Sequence, residues 1–138
     1  MFYTTEEAEK DIVSFDQALE LCSIGFDTST FCHYTIETRQ LCLSSLDEDG
    51  FYMPDKDIAA PTKSQVFRWF REKHNMLANV YSNASGFLFE YHDTIGGTHR
   101  LDSGFTGDCE LSGTFTTYEK AEDACIDQLI LLAKQQDK

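Results

Sequence analysis

Apolar residues recur at helical spacing in three stretches of the chain and alternate with polar ones in the stretches between. The clearest signal lies between Ala59 and Asn75. Pro61 ends an extended run, Thr62 is placed to cap a first turn, and Gln65, three residues on, is placed to return a bond to the cap amide. Asn75 is a natural left-handed stop. At 3.6 residues per turn, Val66, Phe67, Phe70 and His74 share the side expected to meet the core. Gln65, Trp69 and Lys73 form a second side, and Ser64, Arg68 and Arg71 a third.

The other elements follow from the same patterns. Residues 1–13 contain too little apolar material to fix a helix and are expected to be a weakly ordered lead. Ser14 and Gln17 make a capping box, Phe15, Ala18, Leu19 and Cys22 follow at helical spacing, and Gly25 ends the helix. Residues 30–36 and 40–44 are β-rich runs joined by Glu37, Thr38 and Arg39, a hairpin pattern. After the central helix, residues 77–82 and 86–92 read as strands joined by Asn83, Ala84 and Ser85, with Phe87, Phe89 and Tyr91 making one face aromatic. Residues 93–113 hold five glycines, with one more strand expected at 100–105 or 110–115. Thr117 opens a last helix of about four to five turns, with Ala121, Ala124, Cys125, Gln128, Leu129 and Leu132 at core spacing. The expected architecture is one α+β domain over residues 1–138: a small antiparallel sheet of four to five strands covered by about three helices.

Charge changes this picture. The 138 residues carry a formal net charge of -13, unevenly placed. Residues 1–60 hold 13 acids against 3 bases, whereas residues 61–76 hold four bases, Lys63, Arg68, Arg71 and Lys73, against Glu72 alone. A binder of duplex nucleic acid needs a basic stripe, so direct duplex binding is not expected. No apolar run reaches the roughly 18 residues of a bilayer span, and the first residues are acidic where a signal peptide is basic, so a cytoplasmic protein without a membrane role is expected. Five cysteines with no Cys-x-x-Cys pair fit reduced, mostly buried thiols better than a disulfide framework or a zinc ribbon.

The candidate chemistry is sparse. His33, His74, His92 and His99 never stand at the spacing of a helical zinc site. Asp47, Glu48, Asp49, Asp55 and Asp57 crowd together, but the twelve-position calcium loop with its terminal glutamate is absent, and a solvated turn is the simpler reading. Cys109, His99 and Asp93 or Asp102 share only closeness in sequence, which does not make a nucleophile and its base. Neither a metal nor a cofactor is expected, and the chain does not read as an enzyme. Arg68, Arg71 and Lys73 beside Trp69 have the makings of an anion site with an aromatic platform, suited to a nucleotide. Against this, Trp69 also fits a core position and the bases have many acids to pair with.

Three blocks carry a resemblance: residues 14–27 from Ser14 through Gly25 and Phe26, residues 60–74 from Ala60 through Trp69 to His74, and residues 117–125 from Thr117 to Cys125. In order and spacing they resemble small accessory proteins of phages and prophages from anaerobic gut bacteria. The resemblance implies a setting, in which sponges for nucleotide immune signals and inhibitors of host factors are familiar, and it implies no catalytic residues. The leading expectation is therefore a non-enzymatic binding module that sequesters a small anion such as a nucleotide signal through Arg68, Trp69, Arg71 and Lys73. The alternative is an acidic inhibitor that binds a host protein through Asp47, Glu48, Asp49, Asp55 and Asp57, in the manner of a nucleic-acid mimic. Self-association is open in either case.

Overall fold

The structure is a computed structural model that describes residues 10–48, 50–54, 56–93, 98–102 and 115–136. These residues form an α+β chain: α1 (Phe15–Ser23), β1 (Cys32–Tyr34), β2 (Leu41–Leu43), β3 (Ser45–Asp47), β4 (Gly50–Tyr52), β5 (Ile58–Ala59), α2 (Lys63–His74), β6 (Met76–Asn83), β7 (Gly86–Asp93), β8 (Thr98–Asp102) and α3 (Tyr118–Gln136). The chain divides into two compact units, Met1–Val66 and Phe67–Lys138. Where one sheet of four to five strands was expected, the strands form three antiparallel sheets, ordered β2-β1-β5, β3-β4 and β6-β7-β8. The reason is local closure. The strands β3 and β4 pair with each other, Ser45 with Tyr52, Leu46 with Phe51 and Asp47 with Gly50. Gly50 opens β4 at φ +115°, a conformation that suits glycine.

In the first unit, part of the lead is held in place. Ile12 bridges Thr62, the Val13 N–H donates to the Pro61 carbonyl at 3.1 Å, and both side chains are buried. This corrects the expectation of a weakly ordered stretch at residues 12 and 13; residues 1–9 lie outside the described residues. The Ser14 hydroxyl accepts from the Gln17 N–H at 3.1 Å, and the Gln17 side chain accepts from the Ser14 N–H at 3.0 Å. At the far end Gly25 takes φ +93°, its N–H donates to Cys22 and the Phe26 N–H to Leu21, which satisfies two terminal carbonyls of α1.

The buried side of α1 is Gln17, Ala18 and Leu21, not the expected line through Leu19 and Cys22, which are exposed. The helix is turned because Phe15 packs at the rim, edge-on to Tyr34 at 5.5 Å and under the Arg39 guanidinium at 5.0 Å. The Tyr34 hydroxyl in turn donates to the Val13 carbonyl at 2.6 Å. The expected hairpin forms, with Cys32 opposite Leu43, His33 opposite Cys42 and Tyr34 opposite Leu41. Its turn places Arg39 in the left-handed region. On the other side of β1, β5 pairs His33 with Ala59. Ile12, Cys32 and Ala60 make a buried cluster on which Phe31, Tyr34 and Leu41 pack.

Helix α2 begins and ends as its residues dictate: the Thr62 N–H donates to Gln65 at 2.9 Å, the Gln65 N–H to the Thr62 hydroxyl at 3.1 Å, and Asn75 takes φ 56°. Its buried residues are Lys63, Val66, Trp69 and Phe70, with Phe67 half-buried.

In the second unit β6 and β7 are joined through Asn83, whose side-chain oxygen accepts from the Ser85 and Gly86 N–H groups. Helix α3 lies against β6 and β7. The aromatic strand finds its cover there: Phe87 meets Tyr118 edge-on at 6.1 Å, and Phe89 lies 6.1 Å from Phe115. Phe115 also exchanges two backbone bonds with Phe87. Thr117 caps α3 through the Lys120 N–H. Its buried stripe is Ala121, Cys125, Ile126, Leu129, Ile130 and Ala133, whereas Ala124, Gln128 and Leu132 are half-buried. In the glycine-rich region, where a strand over 100–105 or 110–115 was expected, β8 overlaps the first range only at residues 100–102 and pairs with β7 past an irregularity at Tyr91 and His92; residues 94–97 and 103–114 lie outside the described residues. Among the described residues no helix is long and apolar enough to cross a membrane.

Phe70 is fully buried, so Phe70→Ala should destabilise by about 3–5 kcal/mol, most of it from the cavity left behind. Chemical denaturation should show that loss, while Arg71→Ala on the exposed side of α2 leaves the midpoint close to that of the parent protein.

Candidate functional site

Helix α2 separates the residues of the expected anion site. Trp69 is 5% exposed, and its ring stands edge-on to Phe70 at 5.1 Å and to His74 at 4.8 Å. An indole enclosed in this way is a core group and offers no open face for a base to stack on, which corrects the platform reading. Arg68, Arg71 and Lys73 are exposed on the same helix. The Arg68 Nε donates to the Glu72 carboxylate at 2.7 Å, one turn away, with the two side chains 70% and 52% exposed. The bond from Arg68 and then its charge hold the Glu72 carboxyl below the usual range, with smaller help from Arg71 and Lys73. The same bond raises Arg68. Lys63, the fourth base of the cluster, is buried. The basic island is thus three exposed cations gathered around one carboxylate of their own helix.

The acidic cluster is also divided. Glu48 is exposed, the backbone of Asp47 belongs to β3, and Asp49 and Asp55 lie outside the described residues. Asp57 is not a surface acid. Its Oδ2 lies 3.2 Å from His33 Nε2, with both side chains 8% exposed, and His33 Nδ1 lies 3.1 Å from the Ser44 hydroxyl. No reading of the sequence alone joined these three residues, since they come from three segments. The pairing explains them. His33 stands opposite Cys42 and Ala59; Ser44 is two residues beyond the one and Asp57 two before the other, so both are diagonal neighbours of His33 across the sheet.

Serine, histidine and aspartate in one line invite a hydrolytic reading, and the distances meet its first requirement. One feature opposes it. The Ser44 N–H, which would serve an oxyanion, is already donated to the Phe31 carbonyl at 2.8 Å. The three residues are a polar clamp across β2, β1 and β5. Every buried side-chain nitrogen and oxygen among the described residues has a partner.

The buried thiols Cys32 and Cys125 are poor nucleophiles. Burial, then the nearby Cys42, push Cys32 up; burial, then Glu122, push Cys125 far up. Cys109, named with His99 in the sequence, lies outside the described residues. Among the described residues no group of three histidines, cysteines or acids is placed to hold a metal ion. No family model matches the chain, and no curated protein or solved structure matches it significantly.

Removing the imidazole leaves a buried carboxylate and a hydroxyl without their partner, so His33→Ala should cost about 1–3 kcal/mol or more. The double variant His33→Ala with Asp57→Ala should cost less than the sum of the two single changes in urea unfolding, and strict additivity would show that the pair is not coupled.

Proposed function

We propose that the chain is a non-enzymatic binding protein of phage accessory type whose acidic first sixty residues engage a basic surface on a partner protein, such as a host factor that handles nucleic acid. The observation that carries this reading is that, among the described acids of residues 1–60, Asp11, Asp16, Asp27, Glu37 and Glu48 are all exposed. Asp57 is left out of the binding surface because His33 holds it in the sheet. A surface of one sign speeds encounter with an opposite one and loses its grip as salt rises. In a bacterial lysate, a partner should be retained at low salt and released at high salt. A variant carrying Asp11→Asn, Asp16→Asn, Asp27→Asn and Glu37→Gln should lose it; equal recovery by that variant would overturn the reading.

A second reading rests on the exposed cations of α2. Arg68, Arg71 and Lys73 already hold down one carboxylate, that of Glu72, which supports a small phosphate-bearing ligand, such as a nucleotide signal, taken up by charge without stacking on Trp69. Glu72 then competes with the ligand. Calorimetry against cyclic and linear nucleotides at low salt should show binding that Glu72→Gln tightens and Arg71→Ala with Lys73→Ala removes, and the absence of heat with every nucleotide would end this reading.

A further inference from the structure

We infer that the outer edge of β2 is a docking edge onto which a basic partner adds an extended strand. The inference rests on the acidic binding surface proposed above and names the way in which it is used. In the sheet order β2-β1-β5 the strand β2 is terminal. The bonds from Ser44 N–H to the Phe31 carbonyl and from Thr35 N–H to the Gln40 carbonyl set the alternation of the hairpin. Residue pairs 31/44, 33/42 and 35/40 face each other's backbone groups, and the backbone groups of Leu41 and Leu43 therefore point away from β1. Among the described residues neither leucine makes a backbone bond on that side. A row of unspent donors and acceptors of this kind is a template for strand addition.

The side chains point to what the added strand carries. Leu43 stands opposite Cys32 and Leu41 opposite Tyr34, so both leucines lie on the side of the sheet that carries the buried cluster of Ile12, Cys32 and Ala60. Leu41 packs on that cluster, whereas Leu43 is 77% exposed. The apolar face thus runs past its cover at the sheet edge, and Ile36 in the neighbouring turn is 50% exposed as well. An added strand that places an apolar side chain beside Leu43 extends the cluster by one column. The surrounding charge selects the rest: Glu37 precedes β2, Glu48 follows it, and both are exposed. Arg39, the base nearest in sequence, is occupied over the Phe15 ring. A second copy of the chain brings the same excess of acids to the contact and is disfavoured, while a segment alternating apolar and basic residues satisfies edge, face and charge together.

The probe is a labelled nine-residue peptide of alternating valine and lysine, followed by fluorescence anisotropy at low salt. An antiparallel strand whose valines lie beside Leu43 turns the valine N–H groups toward β2 and the lysine N–H groups away. N-methylation of the valines should therefore abolish binding, and N-methylation of the lysines should leave it. Leu43→Pro removes an outward N–H without touching the bonds to β1, and Leu43→Thr removes the apolar contact while keeping charge and strand preference; each should weaken the peptide about tenfold. If nonalysine and both methylated peptides bind alike and the Leu43 variants change nothing, strand addition is overturned while the acidic-surface reading survives. If no basic peptide binds at low salt, both fall. A dimer in sedimentation that Leu43→Pro converts to monomer assigns the edge to a second copy and overturns the proposal.

Discussion

The burial of one stripe of α2 is the constraint on which the reading of this protein depends. Val66, Trp69 and Phe70 are all removed from water, and a buried phenylalanine or tryptophan is among the largest single apolar contributions a small chain possesses. Once that stripe is inward, the positions of Arg68 and Arg71 follow from the 3.6-residue period, because they occupy the remaining arc, whereas Lys73 lies on the side of Trp69 and is exposed in the last turn of the helix. The same rotation that exposes Arg68 and Arg71 buries Trp69.

A second constraint is polar. His33 sits at the middle of a three-stranded sheet with an exposure of 8%, and a buried imidazole is tolerated only when both ring nitrogens are satisfied. Ser44 and Asp57 meet that need from opposite sides. Because side chains alternate across a strand, a slip of one residue in either pairing would carry Ser44 or Asp57 to the other face. The line of three therefore favours one register in a sheet whose strands are only two or three residues long.

Charge and topology together shape the functional reading. One carboxylate of the acidic run is consumed in the fold, and among the described residues within 1–60, five others stand exposed. Short strands leave edges, and among the described residues β2 ends its sheet with an exposed leucine and no strand beyond. An acidic surface beside an unfilled edge suits an extended basic partner better than a small ligand that needs a walled pocket.

Much of this was legible in the amino-acid sequence, and the legible parts share a cause: they depend on neighbours within about four residues. The boxes at Ser14 and Thr62, the stops at Gly25 and Asn75, the cap at Thr117, the hairpins β1-β2 and β6-β7 and the net charge of each segment are of this kind. Which side of α1 and α3 turned inward was decided by tertiary packing, since Phe15 found Tyr34 and Arg39 at the rim, and Ile126 and Ile130 took positions that spacing alone had left to Ala124 and Gln128. The division into three sheets, the enclosure of Trp69 and the meeting of Ser44, His33 and Asp57 were also decided only in three dimensions. The physical reason is separation along the chain. Residues 33, 44 and 57 come together only after two strands have paired with β1, and no local spacing records that pairing.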